Sequence, residues 1–190
     1  MAVLKICKYG EPILHRSLTE VDYAAAKDSL ARIIEDMWET CLVMRGAGLA
    51  ACQVGLDMRL VVIAVPQDDK SWRRLTLVNP VVTARTGRKV EEEGCLSLPG
   101  LFAEAVRAAK VTVRALNEKG IPVEITASGF LAKVMQHEID HLDGHVFTER
   151  VVAAEKNRVK SEIRRLKKHW AGIDESKQVP DYENGFPWDA

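Results

Sequence analysis

The sequence predicts an α+β fold, with antiparallel sheets packed around a central helix that carries an H-E-x-x-H motif and a further helix at the C-terminal end. Three observations predict it. Helical patterns occupy 24–44, the stretch after Ser128 up to 142, and 153–170. The stretches 111–116 and 121–126 alternate in hydrophobicity around Asn117-Glu118-Lys119-Gly120, as the two arms of a hairpin do. No regular strand–helix–strand alternation runs through the chain, so a parallel sheet is not the expected frame.

Taken in order, residues 24–44 place Leu30, Ile33, Ile34, Met37, Trp38, Cys41 and Leu42 at three- and four-residue steps, one stripe of an amphipathic helix. Arg45-Gly46 stops it. Residues 46–55 are small, apolar and glycine-punctuated, which predicts a tight loop or a short strand. The β-branched run 60–65, closed by Pro66, predicts a strand, and 75–82 predicts another, interrupted at Asn79-Pro80. Ser128 is placed to cap the helix that ends at Asp143-Gly144. Residues 1–172 are expected to form one catalytic domain, and the acidic stretch 173–190, with Pro180, Gly185 and Pro187, an irregular tail.

The chain's 190 residues suit one buried core and are short for two. Its 27 basic and 27 acidic side chains cancel, so whole-molecule charge says nothing about partners; neither a membrane nor specific DNA is expected as one. The opening residues are too polar for an export signal, and no apolar run reaches the length of a membrane span. Four cysteines, Cys7, Cys41, Cys52 and Cys95, form no C-x-x-C pair, so reduced thiols in a cytoplasm are expected.

The sharpest chemical signal is His137-Glu138-Ile139-Asp140-His141. Four residues advance a helix by a little more than one turn, so the two imidazoles share a face, roughly 6 Å apart along the axis. They are placed to chelate one metal ion, with Glu138 beside it and free to handle protons. A catalytic site needs a third protein ligand and a position left for water. Two readings stand for that ligand. Glu155 or Glu162 would suit an ordinary zinc endopeptidase. Cys95, in Glu93-Gly94-Cys95-Leu96-Ser97-Leu98-Pro99-Gly100, would bring a thiolate. A closed structural site is the non-enzymatic reading, with His145 or Cys52 as a fourth ligand, although His145 lies beyond Gly144 and should point away. In the third segment, Gly46-Ala47-Gly48-Leu49-Ala50-Ala51-Cys52-Gln53, small residues permit close approach to the backbone and Gln53 is the one strong hydrogen-bonding side chain.

The three segments, in this order and at these separations, resemble the three signature motifs of peptide deformylases, and the likeness covers about 1–170. The resemblance implies an α+β metallohydrolase that removes the formyl group from the N-terminal formyl-methionine of new bacterial and organellar proteins. It implies Cys95, His137 and His141 as ligands of one divalent ion, ferrous iron in the cell, with zinc, nickel or cobalt able to replace it. Glu138 would be the general base and acid, and Gln53 with the Leu96 N–H would hold the developing oxyanion. Phe130 and Val134, with His137 as a flank, would form the methionine slot, and Gly48 and Leu49 its rim. Glu93 is either an anchor, with Arg107 as its partner, or a solvated carboxylate.

Two positions depart from common family patterns. Lys133 stands where many relatives are apolar near the methionine slot; its stem is expected to line the slot while its ammonium stays wet. Phe102 stands where some bacterial members carry an arginine. Nascent formyl-methionyl peptides are the expected partners, and the ribosome a further one. For the ribosome the feature is the helix 150–170, which holds Arg150, Lys156, Arg158, Lys160, Arg164, Arg165, Lys167 and Lys168 against Glu155 and Glu162, neither with a basic residue four positions on.

Overall fold

The computed structural model describes residues 2–66 and 72–171. The expected acidic tail 173–190 lies outside the described residues. A short 3₁₀ turn, Pro12–His15, precedes the first long helix, α1 (Tyr23–Val43). Asp22 caps α1 by accepting from the Ala25 N–H at 3.2 Å. The helix stops where the sequence indicates, with Arg45 taking the left-handed backbone, φ 51°.

Seven strands follow: β1 (Gly48–Ala50), β2 (Leu60–Pro66), β3 (Trp72–Thr86), β4 (Lys89–Cys95), β5 (Leu98–Arg107), β6 (Lys110–Leu116) and β7 (Pro122–Ser128). They form a five-stranded antiparallel sheet, in the order β1-β2-β3-β6-β7, and a separate β4–β5 hairpin. The expected 111–116/121–126 hairpin is the β6–β7 pair. The break expected at Asn79-Pro80 is a bulge inside one long strand. Asn79 has φ 52° and the register shifts between Val78 and Val81. Its side chain explains the kink, accepting from the Val21 N–H at 2.8 Å and donating to the Val21 carbonyl at 2.9 Å. The bulge thus ties down the entry to α1. The β4–β5 hairpin was not visible in the sequence.

The sheet is buried on both faces at β2, and the two-residue period of that strand shows how. Val61, Ile63 and Val65 pack in one cluster with Val134, Met135 and Ile139 of α2 (Gly129–Leu142). Leu60, Val62 and Ala64 pack in the other with Leu30, Ile34 and Trp38 of α1. Helix α2 is buried from Val134 to Leu142. It begins after Ser128 as expected, but the Ser128 side chain makes no capping bond; the residue is the last of β7 and pairs with Lys110 in the sheet. A third cluster seats α3 (Lys156–Ala171) against the β4–β5 hairpin through Val159, Leu98, Leu101 and Phe147.

Candidate metal centre

Four elements converge on one point. Helix α2 supplies His137 and His141 from one face, and Cys95 is the last residue of β4. One ligand atom from each, Cys95 Sγ and a ring nitrogen of each histidine, lie within 4.8 Å of one another. Cys95 Sγ is 3.3 Å from His141 Nε2. Burial alone would push the Cys95 thiol up, but the imidazoles of His141 and His137 beside it hold it well below the usual thiol range. A sulfur and two imidazole nitrogens, so clustered, are a donor set for a borderline divalent ion such as zinc or ferrous iron. The fit has a second sign. Glu138, 4% exposed, has a buried carboxylate oxygen, Oε2, with no hydrogen-bond partner among the described residues. Burial raises its carboxyl, against the pull of both histidines.

The backbone of β1 makes room for that carboxylate. A Cβ built on Gly48 would sit 2.6 Å from Glu138 Oε1, so only glycine fits there. Gln53 lies in the 3₁₀ turn Ala51–Val54, where the Ala50 N–H donates to its Oε1 at 2.8 Å. With the oxygen engaged, the amide presents Nε2 to the site, 3.4 Å from Cys95 Sγ and 3.4 Å from Ser97 Oγ. Leu96 opens the two-residue turn between Cys95 and its partner Leu98.

These groups line a cavity of about 480 Å³, walled by Gly48, Leu96, Phe130, Val134 and Phe102. Lys133 lines it as well. Its Nζ donates to the Glu92 carbonyl at 3.2 Å and lies 5.5 Å from the centre of the Phe130 ring. Leu49 lies elsewhere. Its side chain is fully buried with the α1 cluster, because one step along β1 turns it to the opposite face from Gly48. The expected rim role of Leu49 is therefore not one its side chain performs.

The third-ligand alternatives separate cleanly. Glu155 is bound to Arg158 at 2.7 Å and Glu162 to Arg165 at 2.7 Å, both away from the histidines. His145 pairs with Glu149 at 2.7 Å on the surface, and Cys52 Sγ faces the His141 carbonyl at 3.5 Å.

A family model for polypeptide deformylases matches residues 3–157. The chain belongs to the polypeptide deformylase family. It is 46% identical over 176 residues to the peptide deformylase of Elusimicrobium minutum, covering 90% of this chain and all of that one. It is 40% identical over 169 residues to that of Neisseria meningitidis, covering 89% and 99%. Among solved structures, the Legionella pneumophila peptide deformylase matches at 38% identity with a TM-score of 0.79, over 90% of this chain and 99% of that one. The Ehrlichia chaffeensis peptide deformylase in complex with actinonin matches at 33% and 0.80, over 89% and 98%. As a deformylase the chain is a metal-dependent hydrolase with a Cys-His-His site. No helix among the described residues is long and apolar enough to cross a membrane.

Around the deformylase centre the structure reveals an ionic chain that the sequence showed only in part. Glu93 is an anchor. Its Oε2 lies 3.0 Å from His137 Nδ1, and Arg107 grips both its oxygens at 2.8 and 2.9 Å. Burial would raise the Glu93 carboxyl, but the hydrogen bonds from His137 and Arg107 bring it down to about 2. Arg107 also donates to Asp140, which in turn takes two bonds of 3.0 Å from Arg150. Phe147 stacks on the His137 ring with centroids 6.0 Å apart. His137 is thus held on its far nitrogen and on its face, leaving the other nitrogen turned toward Cys95. Asp140 sits inside the motif, but nothing in the local pattern showed that it would be buried.

The same chain corrects the reading of the basic helix. Arg150 precedes α3 and is spent on Asp140. Arg158 and Arg165 are paired at three-residue spacing, and Lys167 lies 5.0 Å over the Tyr9 ring.

Proposed function

We propose that this chain hydrolyses the formyl group from the N-terminal formyl-methionine of newly synthesised proteins, releasing formate. One observation carries the reading. A buried Glu138 oxygen, unpaired among the described residues, stands beside a Cys-His-His donor set at the floor of an apolar cavity. Cys95, His137 and His141 would hold a single divalent ion, which when bound supplies Lewis acidity for water activation and carbonyl polarisation. Glu138 takes a proton from the attacking water as its oxygen bonds to the formyl carbon. Gln53 Nε2 and the Leu96 N–H donate to the oxygen that gains charge. Glu138 then returns the proton to the amine nitrogen as the C–N bond breaks. Phe130 and Val134, with His137 at the flank, take the methionine side chain, and the Gly48 backbone forms the rim. The test is formate release from formyl-Met-Ala-Ser by the metal-loaded protein. A folded, loaded chain that releases none ends this reading.

Ferrous iron is the proposed cellular metal, at work in a bacterial cytoplasm. The iron form should lose activity in air faster than the nickel or zinc form, because the Cys95 thiolate beside a redox ion is open to oxidation. Half-lives measured side by side, with and without catalase, check this; equal values for iron and nickel count against it.

The ribosome is the proposed docking partner, through a narrower surface than the whole helix. Lys156, Lys160, Arg164 and Lys168 recur every four residues, are exposed, and have no ionic partner among the described residues. Replacing all four with glutamine should leave formyl-peptide hydrolysis intact. It should weaken cosedimentation with ribosomes at low salt, where the native chain's binding falls as salt rises. Undiminished cosedimentation would show that α3 is only a packing element.

A further inference from the structure

A second cavity, of about 380 Å³, opens behind the metal centre, and no step of the deformylation reading uses it. Four guanidiniums line it: Arg85, Arg88, Arg107 and Arg150. The acid among its lining residues is Asp140, which already accepts from both Arg107 and Arg150. The other two nitrogens of Arg107 each donate to Glu93. Two cations are then left without a counter-charge. Arg85, near the end of β3, and Arg88, in the turn before β4, are exposed, and their guanidiniums have no ionic or hydrogen-bonding partner among the described residues. Arg150 Nη1 remains as a further donor, since its Nε and Nη2 are the atoms engaged with Asp140.

We propose that this cavity is an anion site for a phosphate-class dianion, gripped by Arg85, Arg88 and the free edge of Arg150. Two unmatched guanidiniums in one concavity call for two negative charges. Their planar forks suit oxyanions that accept several bonds at once. The volume exceeds that of inorganic phosphate alone, so a phosphate monoester also has room. The occupant faces Asp140, the outer part of the ionic chain that ends on His137.

The test uses the full, metal-loaded chain. Inorganic phosphate and glycerol phosphate are titrated separately by calorimetry, at an ionic strength held constant with chloride. Each should saturate on the native protein, and R85A/R88A should weaken binding by about tenfold or more, as loss of two charge-assisted contacts does. Phosphate held by the metal ion instead would survive that double substitution. K156A/K160A removes the same charge from α3 and should leave binding unchanged. Tighter binding of the ester than of phosphate identifies esters as the source, and the reverse identifies free phosphate. No saturation on the native chain overturns the proposal, as does equal binding by R85A/R88A or equal weakening by K156A/K160A.

Discussion

Glu138→Ala should keep its metal and lose turnover by at least about 10²–10⁴-fold, the usual worth of a positioned acid–base group. Glu138 contributes no ligand atom to the Cys95, His137 and His141 cluster, so its removal leaves the donor set whole. What it removes is the buried carboxylate oxygen with no hydrogen-bond partner among the described residues, the group placed to move a proton. Metal content measured on the same preparation as formate release decides the matter. Native-like rates from a loaded Glu138→Ala protein would defeat the mechanism. A second substitution tests position rather than chemistry. Gly48→Ala puts a methyl group 2.6 Å from Glu138 Oε1 and 2.8 Å from its Cγ. The carboxylate must then shift toward the cavity, out of its position beside the donor set, so Gly48→Ala should lower kcat in the same direction while the metal stays bound. If Gly48→Ala retained full activity, the close approach of β1 to Glu138 would have no part in catalysis.

What the sequence made legible is what depends on local period or on ligand chemistry. The α2 motif was readable because four-residue spacing on a helix fixes the relative placement of two imidazoles whatever surrounds them. The β6–β7 hairpin was readable from alternation around a four-residue turn. The β4–β5 hairpin was not, because Lys89-Val90-Glu91-Glu92-Glu93-Gly94 has the composition of a solvated loop. Glu93 is nevertheless almost fully buried, and only Arg107 and His137, distant in sequence, make that tolerable. Leu49 neighbours Gly48 in sequence, yet the pleat of β1 sends its side chain to the other face. Arg158 and Arg165 pair with Glu155 and Glu162 three residues back, a helical spacing that competes with the four-residue one. In each case the missing information was tertiary or a choice of period, not an unusual residue.

Arg107→Ala should cost about 3–5 kcal/mol of stability, the range for breaking a buried ion pair by deleting one partner. Its side chain is 4% exposed, and those of Glu93 and Asp140 are 2% and 11% exposed. Without the guanidinium, Glu93 keeps only His137, and Asp140 keeps only the half-exposed Arg150. Two carboxylates would then stand largely uncompensated beside the metal centre. The loss should also reach the metal, because Glu93 is the group that holds His137 Nδ1 and Arg107 is what fixes Glu93 on both oxygens. Loss of such an orienting partner typically weakens metal affinity by about 10–100-fold. Arg107→Lys separates charge from geometry: it restores a cation but not the fork that grips both Glu93 oxygens, so it should recover part of the stability and less of the metal affinity. Urea denaturation of metal-free protein measures the first quantity, and competition with a chelator measures the second on folded protein. If Arg107→Ala matched the native chain in both, the ionic chain from Arg150 to His137 would be an ornament of the fold and His137 would be oriented by Phe147 and α2 alone.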